Sequence, residues 1–278
     1  MSRGDPYADI AVSLVGGAGR MGLLFGRVLK DKVSVRIVSR DTKRAREAAE
    51  NIGVGWAPFE EAHDSDIVIV SVPIDQTVGV CQTLGQRMKP RSLLVDLASV
   101  KTGITETIKD STPTTVEYLS LHPLFGPHIQ DIGEKRFIAI EARAGPVTDA
   151  LLRILLDCGA RISKATVEQH DQAMAAVQVL HHCALLTYAS ALSRVATGTD
   201  LSAYVTESLE RTIHNLQSMQ ENWETIYSIQ RRNPHARAAR EAFAEAAADL
   251  VERDEDSKIN LERSLSILKP QDKRRSGP

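Results

Sequence analysis

The sequence predicts an α/β fold in which an N-terminal doubly wound Rossmann domain is followed by an all-α dimerisation domain. Over the first 165 residues, short apolar runs alternate with helical patterns, as in parallel βαβ units. A glycine-rich turn follows the first apolar run. From about residue 166, strand-like runs disappear and Ala, Leu, Glu and Arg dominate. We therefore expect a Rossmann domain at 1–165, a helical domain for substrate binding and dimerisation at 166–268, and a disordered tail at 269–278.

The predicted strands are continuous apolar runs, which suit a sheet covered by helices on both faces. They lie at 10–15, 33–38, 66–72, 92–97, 116–121 and 137–140. Helical periodicity predicts helices at 20–30, 42–51, 77–88 and 147–157. In the second domain, helices are expected at 170–194, 236–253 and 258–268. The first of these three carries an apolar stripe that is wide enough to be buried, at Met174, Val177, Leu180, Ala184 and Tyr188.

Composition excludes several classes of protein. The chain has 278 residues, of which 42% are hydrophobic and 25% charged, and a net charge of -2. That balance gives no electrostatic reason to expect nucleic acid or an anionic membrane as a partner. The three cysteines, Cys81, Cys158 and Cys183, are far apart and suggest neither a disulfide framework nor a zinc site. With no apolar signal region and no apolar run near membrane-spanning length, we expect a reduced, cytoplasmic protein.

A nucleotide fingerprint, GxGxxG, begins directly after the first predicted strand. Its glycines are Gly17, Gly19 and Gly22, and Arg20 and Met21 lie between the last two. Such glycines permit a tight turn, close approach of the pyrophosphate and packing of the helix on the strand. The helix N-terminus then faces the anionic phosphates. A merely structural glycine turn is the alternative interpretation.

The end of the second predicted strand should select the cofactor. An acidic residue there would bind the ribose hydroxyls of NAD, but this chain has Ser39 and Arg40, with Lys43 and Arg44 close by. Arg40 could stack on adenine or hold a 2′-phosphate. Asp41 lies too late in the sequence and is better placed to cap the next helix. We favour NADP slightly over NAD. The alternative interpretation is that Arg40 and Lys43 are solvated surface charges.

Three further segments carry candidate chemistry. They are Asp96-Leu-Ala-Ser99-Val-Lys101 at a strand end, His122-Pro-Leu-Phe-Gly-Pro127, and His170-Asp171-Gln172, which is followed by Gln178 and His182 on the same predicted helix. A histidine at a strand end, facing a bound nicotinamide, can accept the proton that an alcohol loses on oxidation.

This set resembles the prephenate and arogenate dehydrogenase family over roughly residues 10–235. Val72 and Pro73, in Ser71-Val-Pro-Ile74, match the segment that borders the cofactor in that family. The resemblance implies oxidative decarboxylation of a cyclohexadiene that carries a ring carboxylate and, para to it, a hydroxyl. It implies that His122 accepts the hydroxyl proton. It also implies that Ser99 is a catalytic residue beside His122 and the nicotinamide, where its hydroxyl can orient the imidazole or contact the substrate oxygen.

The same resemblance places His182 and Gln178 on the substrate side of the site. Ser99 as a helix N-cap and His182 as a core histidine are the structural alternatives. His170 and Asp171, near a helix start, are at least as well explained as capping residues as ligands.

One position departs from the family pattern. The family usually supplies an arginine that binds a substrate carboxylate, and alignment puts Gln217 at or near its position. Arg211 and His214 could substitute only if the helix were shifted. The departure makes 4-amino-4-deoxyprephenate, which has an amine in place of the hydroxyl, a serious alternative to prephenate. Arogenate is a third possible substrate.

Functions outside this class are less well supported. A β-hydroxyacid or imine reductase should carry a catalytic lysine on the long helix, and 169–194 contains none. A non-catalytic nucleotide sensor would not need His122 and its neighbours. No histidine set has metal-ligand spacing, so no metal is expected. We expect a monofunctional enzyme that forms a homodimer through the helical domain.

Overall fold

The computed structural model describes residues 7–252, 258–259 and 262–265. Its core is an eight-stranded sheet with helices on both faces. The strands are β1 (Ala11–Val15), β2 (Ser34–Val38), β3 (Gly55–Ala57), β4 (Ile67–Val70), β5 (Leu93–Asp96), β6 (Glu117–Pro123), β7 (Arg136–Arg143) and β8 (Arg161–Lys164). The helices of this part are α1 (Arg20–Leu29), α2 (Thr42–Ile52), α3 (Ile74–Gly85), α4 (Ile104–Ser111) and α5 (Pro146–Asp157). The predicted Rossmann-type fold is therefore confirmed.

The strand order is β3-β2-β1-β4-β5-β6-β7-β8. The first six strands run parallel, with the order 3-2-1-4-5-6 of a dinucleotide-binding sheet. The prediction of parallel units is wrong at β7, which pairs antiparallel with β6. No helix separates these two strands, so the chain turns back through 124–135 instead of crossing over.

The continuous apolar strands are buried as the pattern indicated. Every residue of β4 and β5 is buried, because helices cover both faces of the sheet. Strands β3 and β8 were missed because both are short edge strands with few buried side chains. The Rossmann core thus places the carboxyl ends of β1, β4, β5 and β6 along one edge, where such sheets bind ligands.

The helical region begins directly after β8. Thr166 caps α6 (Val167–Met174), since its hydroxyl accepts a hydrogen bond from the Gln169 amide at 3.2 Å. A π-helical segment, Ala175–Leu180, follows without a break. The remaining helices are α7 (His181–Val195), α8 (Glu207–Glu221), α9 (Trp223–Arg232) and α10 (Ala236–Glu252). The helix predicted at 258–268 lies only partly within the described residues, and the tail predicted at 269–278 lies outside them.

The apolar stripe expected to be buried on the long helix is mostly exposed in the single chain. Met174 is buried, but Val177 is 60% exposed and Tyr188 is 41% exposed. None of the residues of α7 is buried. The stripe prediction is therefore wrong for one copy of the chain, because the other helices leave this face of α7 uncovered.

The prediction that no apolar run approaches membrane-spanning length is wrong for the continuous helical run Val167–Val195, which is long and apolar enough to cross a membrane by length and composition. Core helices of water-soluble proteins pass the same test, so the finding is weak evidence for a membrane span. The first turn of the run is followed by His170 and Asp171, whose side chains are bound to the Rossmann domain. That attachment favours a helix that packs on protein.

Candidate active site

The glycine-rich turn brings the chain back on itself at the end of β1. Gly16 has a φ of +75°, and a Cβ there would lie 2.3 Å from the Ser71 carbonyl oxygen. A Cβ on Gly22 would lie 2.4 Å from the Cα of Gly17, so these two glycines let α1 pack against the turn. Gly19 occupies the N-cap position of α1, whose N-terminus opens into the adjacent cavities. The turn fits a bound pyrophosphate, and Gly16 is a turn residue that the three-glycine pattern missed.

A cavity of about 430 Å³ extends from this turn along the end of β2. Ser39, Arg40 and Arg44 line it, and no Asp or Glu is among its lining residues. Asp41 is turned away as the N-cap of α2, accepting a hydrogen bond from the Arg44 amide at 3.0 Å, as expected. Lys43 does not line the cavity and pairs with Glu47. The adenosine end of the cleft is therefore cationic.

A second cavity, of about 540 Å³, lies between the Rossmann and helical parts. It shares Gly19, Ser71, Val72 and Pro73 with the first cavity, so the two form one cleft past the ends of β1 and β4. The predicted residues that line it are Gly19, Arg20, Met21, Val72, Pro73, Ser99, His122, Gln178 and His182. The structure thus brings the nucleotide fingerprint and the candidate catalytic residues to one place.

His122 lies near the end of β6 and is almost completely buried, yet its ring lines the larger cavity. Burial lowers the pKa of His122 well below its ordinary value, and the nearby ammonium of Lys101 lowers it further. The imidazole is therefore neutral near pH 7 and has a lone pair available for a proton. That is the state a general base needs.

The Nδ1 atom of His122 is 2.8 Å from Nε2 of His170. His170 Nδ1 is in turn 2.7 Å from Oδ1 of Asp171. Both residues are buried on α6, whose N-cap is Thr166. The interpretation of His170 and Asp171 as capping residues is therefore wrong, and their contact with His122 was missed because it joins positions far apart in sequence.

Ser99 is held at the cavity by a buried ion pair. The Lys101 ammonium lies 3.1 Å from Oδ1 of Asp96 and also donates to the carbonyl of Leu121, next to His122. Asp96 Oδ1 accepts from the amide of Ala98 at 2.9 Å, which fixes the bend before Ser99. Ser99 is not an N-cap, because the next helix, α4, begins at Ile104. Ser99 lines the same cavity as His122. The His122 ring is oriented by His170, which is bonded to its Nδ1 atom.

Gln178 and His182 reach the cavity from the long helix. Oε1 of Gln178 and Nδ1 of His182 are buried with no hydrogen-bond partner in the described part of the chain. Such orphaned atoms at a cavity wall are suited to a polar ligand. Burial, followed by the charge of His181, lowers the pKa of His182 to about 4, so its ring is neutral at pH 7. Gln178 lies in the π-helical segment Ala175–Leu180, which precedes His182. Gln230 Nε2 donates a hydrogen bond to the Val179 carbonyl of this segment at 2.8 Å.

Gln217 does not reach the cavity. Its side chain is exposed on α8, and the neighbouring Ser218 and Met219 line the cavity instead. Arg211 and His214, on the same helix, are also exposed and absent from the lining. None of the described residues of α8 thus puts an arginine at this wall of the cavity.

Arg20 is the one arginine among the residues that line the larger cavity. Its guanidinium contacts Glu221 Oε2 at 3.2 Å and Asn222 Oδ1 at 3.0 Å. The contact joins α1 to the end of α8 at the cavity mouth.

Among the described residues, no group of three or more His, Cys, Asp or Glu side chains could hold a metal ion.

Residues 25–139 match the family model for the nucleotide-binding domain of prephenate dehydrogenase. The match spans the strands and helices that carry Val72, Ser99 and His122. Curated relatives with prephenate or arogenate dehydrogenase names match over longer stretches. The chain is thus similar to the prephenate dehydrogenase family over its nucleotide-binding part.

The curated relatives of the chain carry different names. A probable arogenate/prephenate dehydrogenase of Methanocaldococcus jannaschii is 27% identical over 67% of this chain and 43% of its own length. The T-protein of Haemophilus influenzae is 30% identical over 62% of this chain and 42% of its own length. The 4-amino-4-deoxyprephenate dehydrogenase of Streptomyces pristinaespiralis is 26% identical over 83% of this chain and 80% of its own length. The chain thus spans less than half the length of the first two relatives.

Solved structures of the family share the fold. The prephenate dehydrogenase of A. aeolicus, solved with hydroxyphenyl propionate and NAD+, superposes with a TM-score of 0.78 at 17% identity, over 93% of this chain and 97% of that one. The arogenate dehydrogenase of Synechocystis gives a TM-score of 0.65 at 17% identity, over 92% of this chain and 98% of that one. At these identities the likeness extends to the fold alone.

Proposed function

We propose that the protein catalyses the NAD(P)-dependent oxidative decarboxylation of a prephenate-type cyclohexadiene to a 4-substituted phenylpyruvate. The observation that carries this proposal is His122: a neutral, buried imidazole that lines a cavity continuous with the nucleotide cleft. When bound, the nicotinamide supplies the hydride acceptor. His122 accepts the proton of the ring hydroxyl, and loss of carbon dioxide then makes the ring aromatic.

The other residues of the cavity bind and orient. Ser99 is placed to contact the substrate oxygen beside His122, and the buried polar atoms of Gln178 and His182 gain a partner when a polar substrate enters. Apolar side chains such as Ile226 and Ile229 line the same cavity and would exclude water from the ring. His122 is therefore the base, and the other residues of the cavity bind and orient the substrate.

The test is a nicotinamide reduction assay with prephenate, arogenate and 4-amino-4-deoxyprephenate, each with NAD and with NADP. We expect a rise in absorbance at 340 nm with at least one pair. No reduction with any of the six pairs would refute the dehydrogenase proposal.

The amino substrate is the second candidate. Gln217, at or near the position of the family's arginine, is exposed and does not line the cavity. The relative named for 4-amino-4-deoxyprephenate matches over most of its length. In the assay, a kcat/KM for the amino substrate at least 10-fold above that for prephenate would select this candidate. The reverse ranking would select prephenate.

NADP is the proposed cofactor. The adenosine end of the cleft presents the guanidinium groups of Arg40 and Arg44 and no carboxylate among its lining residues, which suits a 2′-phosphate. A kcat/KM that is higher with NAD than with NADP would contradict this preference.

A homodimer through the helical region is the proposed assembly. The uncovered face of α7 includes Tyr188 and Val195, the latter 84% exposed. Leu185, Leu209 and Phe243 line an open apolar depression beside it. Apolar faces of this kind are normally covered by a partner, and a two-fold copy is the commonest one. Light scattering should give twice the chain mass at micromolar concentration, and a monomer mass would refute the assembly.

We further propose a cytoplasmic location. Among the described residues, Cys81 and Cys183 form no disulfide, as expected in a reducing compartment. A reporter fusion that fractionates with membranes or with an extracytoplasmic compartment would contradict this.

A further inference from the structure

Three buried side chains form a hydrogen-bonded chain behind the candidate base. His122 comes from β6 of the Rossmann part, and His170 and Asp171 come from α6 of the helical part. The ring-to-ring distance, Nδ1 to Nε2, is 2.8 Å, and His170 Nδ1 lies 2.7 Å from the Asp171 carboxylate. None of the three side chains is more than 2% exposed, so water does not compete for these bonds.

The charge of Asp171 determines which atoms donate and which accept in the hydrogen bonds that join His122, His170 and Asp171. Burial raises the pKa of its carboxyl, but hydrogen bonds from His170 and from the backbone amides of Lys101 and Thr102 outweigh burial and leave that pKa below its usual value. The carboxylate is therefore ionised and can only accept hydrogen bonds. It follows that Nδ1 of His170 carries a hydrogen and donates it to Asp171.

The tautomer of each ring follows from that donor. A His170 ring that carries a single hydrogen, on Nδ1, has its lone pair on Nε2, and that nitrogen can then only accept. The hydrogen in the 2.8 Å bond must then lie on Nδ1 of His122. A neutral His122 with hydrogen on Nδ1 keeps its lone pair on Nε2, the nitrogen that is left for the cavity.

We propose that His170 and Asp171 are positioning residues that hold His122 in the one tautomer able to take a proton from the substrate. This inference rests on the proposed role of His122 as the base. In the reaction, Nε2 of His122 gains the substrate's hydroxyl proton, and the resulting imidazolium is stabilised through His170 by the negative charge of Asp171. The same bonds join the two parts of the protein. His122 is therefore held in this tautomer only when α6 is packed against β6.

A spectroscopic test needs no substrate. The protein is labelled with 15N-histidine, and two-bond 15N–1H correlations assign the tautomer of each ring at pH 7.5, with His122→Asn and His170→Gln identifying the signals. We expect hydrogen on Nδ1 in both rings. In Asp171→Asn, an amide donor faces His170, and the hydrogen of His122 should move to Nε2. Hydrogen on Nε2 of His122 in the wild type, or no change in Asp171→Asn, would overturn the proposal.

A kinetic test uses the substrate that the six-pair assay selects. Asp171→Asn should lower kcat by about 10²-fold or more, because the wrong tautomer cannot accept a proton, while KM changes less than about 3-fold. His170→Gln keeps an amide oxygen that can accept from His122 Nδ1, so it should retain at least about 10-fold more activity than His170→Leu. Gln172→Ala, an exposed neighbour on α6, is the matched control and should be unchanged.

Double variants separate positioning from general damage. In a His122→Asn background, Asp171→Asn should cause little further loss of kcat, because the residue through which it acts is already gone. Losses that multiply, or equal activities of His170→Gln and His170→Leu, would overturn the proposal. If the wild type reduces no cofactor with any of the three acids, the proposed function fails, while the 15N spectra still decide the tautomers. His170→Gln leaves the backbone contacts of Asp171 in place, so it provides a folded variant if Asp171→Asn does not fold.

Discussion

Asp96 and Lys101 form an ion pair that is completely shielded from solvent, with 3.1 Å between Oδ1 and Nζ. The Tyr118 hydroxyl donates to the second carboxylate oxygen at 2.7 Å, and the ammonium also holds the carbonyl of Leu121. The pair therefore links the loop that carries Ser99 to the strand that carries His122. Its burial makes it sensitive to the loss of either partner.

Removing one member of this pair should destabilise the protein strongly. Lys101→Met leaves the Asp96 carboxylate buried without a counter-charge, at a cost of about 3–5 kcal/mol in the free energy of unfolding. The double variant Asp96→Asn with Lys101→Met removes both charges of the pair and should be more stable than Lys101→Met alone. Urea denaturation followed by tryptophan fluorescence measures both. Equal stability of the two variants would contradict a direct pairing.

The cationic end of the nucleotide cleft should control the choice of cofactor. Arg44→Ala and Arg40→Ala should each raise KM for NADP by about 10-fold or more and change KM for NAD little, since only NADP carries the 2′-phosphate. Lys43→Ala is the matched control, because Lys43 lies outside the cavity and pairs with Glu47. Equal effects of the Arg44 and Lys43 substitutions on NADP would show that general surface charge sets the preference.

The orphaned polar atoms of the cavity wall should bind substrate. We expect Gln178→Leu and His182→Leu to raise KM by about 5–10-fold, the equivalent of one hydrogen bond each, with a smaller change in kcat. Steady-state kinetics at saturating cofactor measures this. Gln172→Leu, exposed on the same helical run, is the control. A fall in kcat at constant KM would instead place these residues in the chemical step.

Folding stability should fall as the pH is lowered from 7.5 to 5. The pKa values of His122 and His182 are lowered in the folded protein, so the unfolded chain binds more protons below its histidine pKa of about 6.5. Their contribution is thus complete above that pH and is lost as the pH falls toward the folded pKa, which is about 4 for His182.

The pH series is measured by denaturant unfolding in wild type and in His182→Gln. The variant lacks one of these groups and should show a shallower loss of stability between pH 7.5 and 5. An identical pH dependence in the two proteins would show that His182 is not held neutral by burial.

The sequence was sufficient to locate elements that depend on local pattern. The fingerprint at Gly17–Gly22 and the strand end at His122 were found because glycine spacing and apolar runs are local signals. The bond from His122 to His170 was not predictable, since it spans 48 residues and depends on how α6 docks. The same holds for Gln217: its direction depends on the rotation of α8, which no local pattern sets.

The most direct test of the central claim is the turnover of His122→Asn with the preferred substrate and cofactor. If His122 is the base, kcat should fall by about 10²–10⁴-fold while KM stays within about 3-fold of the wild-type value, because binding does not require proton transfer. Circular dichroism melting should confirm that the variant is folded. A folded His122→Asn protein with a kcat close to that of the wild type would contradict the account.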